Sequence, residues 1–411
     1  MSPLTYDYHY HFNKVAKYYN GDFRDLATLQ THMDRVGARD YPREPVSAIL
    51  KEQNEAYGCD RSTMDNITKL IDRKTCAVVT GQQVGLFSGP LYTIYKAITA
   101  IKLAEYLSQN AGEPVVPIFW LASDDHDFAE INHVDFLNQA NQVTRVSYDP
   151  PASSTRIPAA DILLTQDIVT CIQALEAATH NSEFKQAIIS DLSQAYGAGE
   201  SIATAFACWL TRLLKPYGLI IIDASHPDLK KLGAKVFRTE IQDGSPSTVR
   251  ALESSQDLQQ SGYKAQVGVH AGILNLFYGE RERQSIHVQD GQYHIKGTPG
   301  AFTRQALLDL LESNPQRFSP NVLLRPLYQD ALLPTVAYVG GPAEIAYFAQ
   351  MKGIYDSFGM HMPVLYPRKT VTILEKKIDT VLTNYQLRIQ DVWRTDDKLI
   401  NEAVQKNIPV A

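Results

Sequence analysis

The sequence predicts an α/β protein built on a parallel β-sheet, and three observations carry that expectation. A short β-type run, Ala77-Val78-Val79-Thr80, passes through a glycine-rich turn into a long helical pattern. A second apolar run, Val115 to Ala122, follows, so strand, turn, helix and strand fit within ~45 residues, the size of a βαβ unit. Further short apolar runs recur at 219–222, 332–339 and 363–366, as later strands of the same sheet would.

Taken in order, the first seventy residues read as polar and helical, broken by Pro42 and Pro45 within a charged stretch. The turn after the first strand is Gly81-Gln82-Gln83-Val84-Gly85, and Pro90 opens a helix with Leu91, Ile94, Tyr95, Ile98 and Ile101 on one stripe. Ser88 is expected to cap this helix, and proline is favoured in a first turn because its missing N–H costs nothing there. Gly112 and Pro114 close it. The run from Val115 to Ala122 is unbroken rather than alternating, as expected for a strand covered on both faces.

The polar stretches between strands read as insertions. Residues 140–200 hold two helical patterns, and residues 235–320 hold alternating segments such as Ile273 to Tyr278, the period of a partly exposed sheet. The expected organisation is an N-terminal helical segment over 1–70, a core over 71–370 interrupted at 140–200 and 235–320, and a helix starting within 371–411. That last helix carries Ile373, Leu374, Ile378, Val381, Leu382, Leu387 and Ile389 as a stripe suited to a partner or a neighbouring helix. No internal repeat or low-complexity tract interrupts the pattern.

Composition narrows the function classes. The chain has 411 residues, a net charge of −6 and no clustered basic face of the kind that binds nucleic acid. No apolar run approaches the roughly 18 residues of a membrane span. Met1 to His11 lacks the basic-then-apolar layout of a secretory signal. The four cysteines, Cys59, Cys76, Cys171 and Cys208, show no C-x-x-C spacing, so neither a zinc knuckle nor a disulfide framework is expected. A cytoplasmic, reduced, soluble protein without nucleic-acid or membrane partners is the expectation.

The chemistry-bearing residues fall at strand ends. Gly81, Gly85 and Gly89 let backbone approach a ligand near a helix N-terminus, and Gln82 and Gln83 can both donate and accept hydrogen bonds. The spacing matches neither the dinucleotide nor the Walker fingerprint, and a tight turn needing glycines for geometry alone is the competing account. Asp124, Asp125, His126 and Asp127 follow the second strand, where open α/β sheets hold ligands. Carboxylates so close together call for a positive neighbour: His126, a metal, an ammonium substrate or water. The set of Asp125, His126, Asp127 and His133 matches no familiar metal-site spacing, so no metal site is assigned. Asn132 and His133 are candidates beside an ordinary structural role. Asn321 and Arg325 lie in Ser319-Pro320-Asn321-Val322-Leu323-Leu324-Arg325, where an unpaired arginine on an apolar run would be costly, so Arg325 either pairs with the acidic cluster or holds an anion. Gly341-Pro342-Ala343-Glu344 repeats the glycine–proline–helix logic, and Glu344 also suits a helix first turn. Arg368 and Lys369 follow the last strand, where cations could bind phosphates or simply be solvated.

Together these phrases resemble the bacillithiol-biosynthesis cysteine-adding enzymes. The matching stretches are Thr80-Gly81-Gln82-Gln83 with Gly85-Leu86 and Gly89-Pro90-Leu91-Tyr92; Phe119-Trp120-Leu121-Ala122 with Asp125-His126-Asp127-Phe128 and Glu130-Ile131-Asn132-His133; Ser319-Pro320-Asn321 with Arg325-Pro326 and Leu333-Pro334; and Gly341-Pro342-Ala343-Glu344. The resemblance implies a Rossmann-like core akin to class I aminoacyl-tRNA synthetases, with connecting-peptide insertions. It implies a dimerising C-terminal coiled coil, of which this sequence holds only the start, and addition of cysteine to glucosaminyl-malate. The synthetase signatures H-x-G-H and the lysine–serine loop are absent; the Gly81 turn takes the place of the first and Arg368-Lys369 that of the second. Amide formation in water needs an activated carboxylate, so ATP or ADP, with magnesium only as the nucleotide's companion, is the expected cofactor. The nucleotide is expected near Gly85 and Arg368 or Lys369, with Asp125 or His126 as the base. Two other readings stay open: an acid-cluster metallohydrolase, and a non-catalytic nucleotide-binding scaffold.

Overall fold

A computed structural model describes residues 2–149, 157–280, 282–393 and 396–407. Among the described residues the strands are, in chain order, β1 (Cys76–Gln82), β2 (Val115–Leu121), β3 (His133–Leu137), β4 (Val143–Ser147), β5 (Ile220–Asp223), β6 (Ile273–Tyr278), β7 (Gln284–Gln289), β8 (Gln292–Ile295), β9 (Phe318–Pro320), β10 (Thr335–Gly340) and β11 (Val364–Pro367). Five of them form one parallel sheet in the order β11-β10-β1-β2-β5. This is the α/β, Rossmann-like architecture.

The unbroken apolar character of β1 and β2 has a direct cause. Ala77 and Val79 enter one buried cluster with Ile118, Trp120 and Ile220, whereas Cys76 and Val78 enter another, on a different set of neighbours, with Val115 and Val336. Successive strand residues point to opposite faces, so a sheet covered on both sides needs apolar residues at every position.

The first four helices are α1 (Pro3–Tyr10), α2 (Leu26–Gly37), α3 (Arg43–Ala56) and α4 (Arg61–Lys69). They are built into the core. The Tyr8 hydroxyl donates to the Leu365 carbonyl (2.5 Å) and that of Tyr19 to the Ile345 carbonyl (2.8 Å). On α3, two side-chain amides pair with the outer edge of β5. Asn54 donates to the Ile221 carbonyl (2.8 Å) and accepts from its N–H (2.9 Å), while Gln53 does the same with Asp223 (2.9 and 3.1 Å). An edge strand would otherwise leave these backbone groups unpaired.

Helix α5 (Tyr92–Ala111) follows β1 and ends at Gly112, which is left-handed (φ 74°). Ser88 does not cap it. Phe87, Ser88 and Gly89 all have positive φ (53°, 76° and 62°), and the Ser88 hydroxyl donates back to the Phe87 carbonyl. The chain reverses too tightly for Ser88 to reach the first helical N–H groups, and α5 starts without a side-chain cap.

In the 140–200 region lie the β3–β4 hairpin's second strand and the helices Asp167–Ala178 and Lys185–Ala195; residues 150–156 of that region are outside the described set. In the 235–320 region an antiparallel sheet, β8-β7-β6-β9, packs with the helices Pro246–Gln260 and Arg304–Ser313. It does not hang free: Leu274, Leu276, Ile286 and Phe318 join the same buried cluster as Trp120 and Leu327.

The chain divides into two units, Met1–Arg368 and Lys369–Ala411. In the second, the expected stripe is not one helix. Ile373 and Leu374 precede the helix Lys376–Asn384, and Gln386, with φ 52°, breaks the chain before a single turn at Ile389–Trp393 and a helix over Asp396–Asn407. No helix among the described residues is long and apolar enough to cross a membrane.

Candidate functional site at the sheet's switch point

From β1 the chain runs outward to β2 and β5, then returns on the other side of β1 as β10 and β11. The carboxyl ends of β1 and β10 therefore flank a point where the strand order reverses, the place where open parallel sheets leave a crevice for ligands. A cavity of about 580 Å³ lies there, lined by Gly81, Gln82 and Gln83 after β1, Trp120 and Ala122 at β2, and Gly341 and Glu344 after β10. Arg325 and Arg368 also face it. A second cavity of about 380 Å³ shares Trp120, Ala122, Val322 and Arg325 with the first and extends to Asp124, Asp125, His126, Arg283 and Asn321.

Glycine is required at 81 by close approach. A Cβ there would lie 2.8 Å from the Trp120 carbonyl oxygen on the neighbouring strand, well inside contact distance. Gly85 and Gly89 serve the turn: a Cβ on Gly85 would meet the Gly89 Cα at 3.0 Å, and neither residue lines either of these two cavities.

The floor of the larger cavity is organised by Lys96, which sequence reasoning missed. Its side chain is 3% exposed, and its ammonium donates to the Gly81 carbonyl (2.6 Å) and Gln82 Oε1 (3.0 Å) and pairs with Glu344 Oε2 (2.6 Å). Burial pushes the Lys96 ammonium below the usual lysine range, and Glu344 opposes that push. Glu344 also accepts from the Tyr338 hydroxyl and from the Gly341 N–H (both 2.7 Å), so it is at once a helix-capping acid and a wall of the cavity. A clue to Lys96 was present: on α5 it falls on the buried stripe of Thr93, Ala100 and Leu103, where a charge must have a partner.

Arg325 does not pair with the acidic cluster. It donates to Gln329 Oε1 (3.0 Å) and lies over the Tyr338 ring (5.4 Å), with no carboxylate within 4 Å among the described residues. Arg368 lies over Tyr92 (5.4 Å), and its Nε is buried without a hydrogen-bond partner. Two guanidinium groups thus face one cavity without carboxylate partners.

In the acidic loop, Asp124 is paired with Lys230, a second buried lysine that the sequence reading did not single out. Asp125 is held by donors: the His126 N–H (2.8 Å) on Oδ1, and on Oδ2 the Gln83 amide (2.7 Å), which also donates to Glu130 (2.7 Å). The His126 Nδ1 is buried without a hydrogen-bond partner, 3.9 Å from Asp125 Oδ1. Asn321 accepts from the N–H groups of Leu323 and Leu324 (2.9 and 3.3 Å) and donates to Asn275 (2.6 Å), which fixes the turn leading into Arg325.

The remaining candidates lie elsewhere. Asp127 is exposed at the start of the Phe128–Ile131 turn, and Asn132 Oδ1 meets His133 Nδ1 (3.0 Å) at the start of β3; none of the three lines either cavity. Lys369 opens the second unit. Arg283 was also missed, because Glu280-Arg281-Glu282-Arg283 reads as a solvated charged turn. Among the described residues no three His, Cys, Asp or Glu side chains converge as a metal-binding group.

Comparison with known proteins agrees with this architecture. The family described as "Bacillithiol biosynthesis BshC, N-terminal Rossmann-like domain" matches residues 1–369. A protein of Salinibacter ruber named "Putative cysteine ligase BshC" is 40% identical over 409 residues, covering 99% of this chain and 74% of its own length. Proteins of the same name from Chloroherpeton thalassium and Geobacillus kaustophilus are 37% and 35% identical, covering 89% and 90% of this chain and 66% and 67% of their own lengths. The chain belongs to the BshC family of bacillithiol biosynthesis, and residues 1–369 are its Rossmann-like domain.

Proposed function

We propose that this chain is a cysteine ligase that joins the carboxylate of cysteine to the amine of glucosaminyl-malate, forming bacillithiol. The observation that carries the reading is the joined pair of cavities at the switch point. One presents Arg325 and Arg368 without carboxylate partners, and the other opens on Asp125 and His126. Guanidinium groups without a carboxylate partner suit carboxylate or phosphate oxygens, which they can grip with two parallel hydrogen bonds. The larger cavity therefore fits an anionic substrate group, whether the malate of the acceptor or the phosphates of ATP.

Condensing a carboxylate with an amine must expel one oxygen; Arg325 and Arg368 would hold the phosphates of ATP, which would supply the acceptor for that oxygen and leave as AMP with pyrophosphate or ADP with phosphate. The protein's own part is positioning and proton transfer. The attacking ammonium must lose a proton before its lone pair can form the C–N bond. Both Asp125 oxygens already accept hydrogen bonds, and the partly exposed His126 ring lines the smaller cavity. His126 is the proton acceptor in this reading, with Asp125 and Gln83 orienting its loop.

The test is mass spectrometry of the protein with cysteine, glucosaminyl-malate and ATP. Bacillithiol with stoichiometric AMP or ADP is the expected result. A His126→Gln variant should fold normally and lose about two to four orders of magnitude in kcat, the usual contribution of a general base. Unchanged turnover in that variant would remove His126 from the reaction, and no bacillithiol from the parent protein would overturn the assignment.

A further inference from the structure

The smaller cavity is lined by a group that the sequence reading did not single out, Arg283. Its side chain is 11% exposed, although it enters from a charged turn. Two of its nitrogens are committed to the scaffold: Nε donates to Ser319 Oγ (2.9 Å) and Nη2 to the Pro320 carbonyl (2.7 Å). Its guanidinium lies over the Phe277 ring at 4.3 Å. Nη1 makes no hydrogen bond among the described residues and stands 4.0 Å from Asp125 Oδ1, too far for a direct bond. A buried arginine at a cavity wall, fixed by two of its nitrogens and with the third left without a hydrogen bond, is a preorganised receptor for an anion.

The same small space also presents Asp125 and is walled by Trp120, Phe277 and Tyr328. Fixed opposite charges between aromatic walls select a ligand that carries both charges close together. An α-amino acid does so on a single carbon. Size points the same way: about 380 Å³ is near the lower end of small-molecule sites, roughly 300–1,000 Å³, whereas the adjoining cavity is larger and richer in cations.

We propose that the smaller cavity is the subsite for the free α-amino acid, in which Arg283 Nη1 binds the α-carboxylate and Asp125 faces the α-ammonium. The assignment rests on the cysteine-ligase reading for the identity of the amino acid. It leaves the larger cavity, with Arg368 and the shared Arg325, to the second substrate.

The experiment is equilibrium competition for ³⁵S-labelled L-cysteine on the full chain. The competitors are unlabelled cysteine, cysteamine, which lacks the carboxylate, and 3-mercaptopropionate, which lacks the ammonium. Each truncated competitor should be at least tenfold weaker than cysteine. In Arg283→Met, cysteine should weaken to the level of cysteamine, with cysteamine itself within twofold of its parent value; Arg283→Lys should recover part of the loss. Because Arg283 also holds Ser319 and Pro320, thermal melts accompany both variants, and the competitor series on the parent protein needs no variant. Equal competition by cysteine and cysteamine, absence of cysteine binding to the parent, or undiminished binding to a folded Arg283→Met protein would overturn the subsite. Cysteine bound through Arg283 without bacillithiol formation would instead count against the ligase reading and leave the amino-acid subsite standing.

Discussion

His32 and Asp330 are buried titratable groups whose pH dependences oppose each other. Burial pulls the His32 imidazole down to about 4 and pushes the Asp330 carboxyl up to about 6. For His32 the folded value lies below the unfolded one, so its stability contribution is complete above about pH 6.5 and is lost as the pH falls towards 4. For Asp330 the folded value lies above the unfolded one, so stability is greatest below about pH 4 and is lost as the pH rises towards 6. Each effect is worth about 3 kcal/mol at most, from roughly two pH units at 1.36 kcal/mol each. Between pH 4 and 6 they offset one another. Urea midpoints measured across that window should fall more steeply with acidification in Asp330→Asn than in the parent, and less steeply in His32→Asn. Parallel curves for all three proteins would show that these two groups do not govern the slope. At this scale the sequence disclosed residues marked by punctuation, such as Gly81 and Arg325. It concealed Lys230 and Arg283, whose partners lie far away in the chain: Asp124 precedes Lys230 by over a hundred residues, and nothing local announces the pair.

Among the elements, α3 shows how side chains can finish a sheet. Asn54 is fully buried and holds both backbone groups of Ile221, so removing its amide leaves a buried donor and acceptor unsatisfied. Each such group costs about 1–3 kcal/mol. Asn54→Ala should therefore lower the urea-unfolding free energy by about 2–4 kcal/mol, whereas Asn54→Asp should restore only the acceptor. A loss below about 0.5 kcal/mol in the alanine variant would mean that the edge is served in another way. The parallel strands were legible because burial on both faces writes itself as an unbroken apolar run. The capping of α5 was not, because Phe87, Ser88 and Gly89 all take positive φ in a turn that packs on Tyr196, its ring centroid 5.0 Å from that of Phe87, a contact with no local signature. The 235–320 region read as an appendage because its strands alternate, yet their apolar face is spent on the central core, which alternation alone cannot reveal.

For the whole molecule, the three buried clusters found among the described residues all lie within residues 4–365, inside the first unit. Residues 1–368 expressed alone should therefore melt cooperatively, within about 3 °C of the full chain, since a shift of that size corresponds to only about 2 kcal/mol in a protein this large. A non-cooperative melt of the shortened protein would show that the second unit is needed for the first to fold. The candidate site, for its part, was legible as a set of strand ends but not as two adjoining spaces, because the smaller one is completed by Phe277 and Arg283, which arrive from a region that read as an insertion. The amides on α3 carry one more consequence, for assembly. A strand border already answered by its own chain offers no template to a stranger, so copies of this protein cannot join by running their sheets together along β5, and that route to fibrous association is shut from within the monomer.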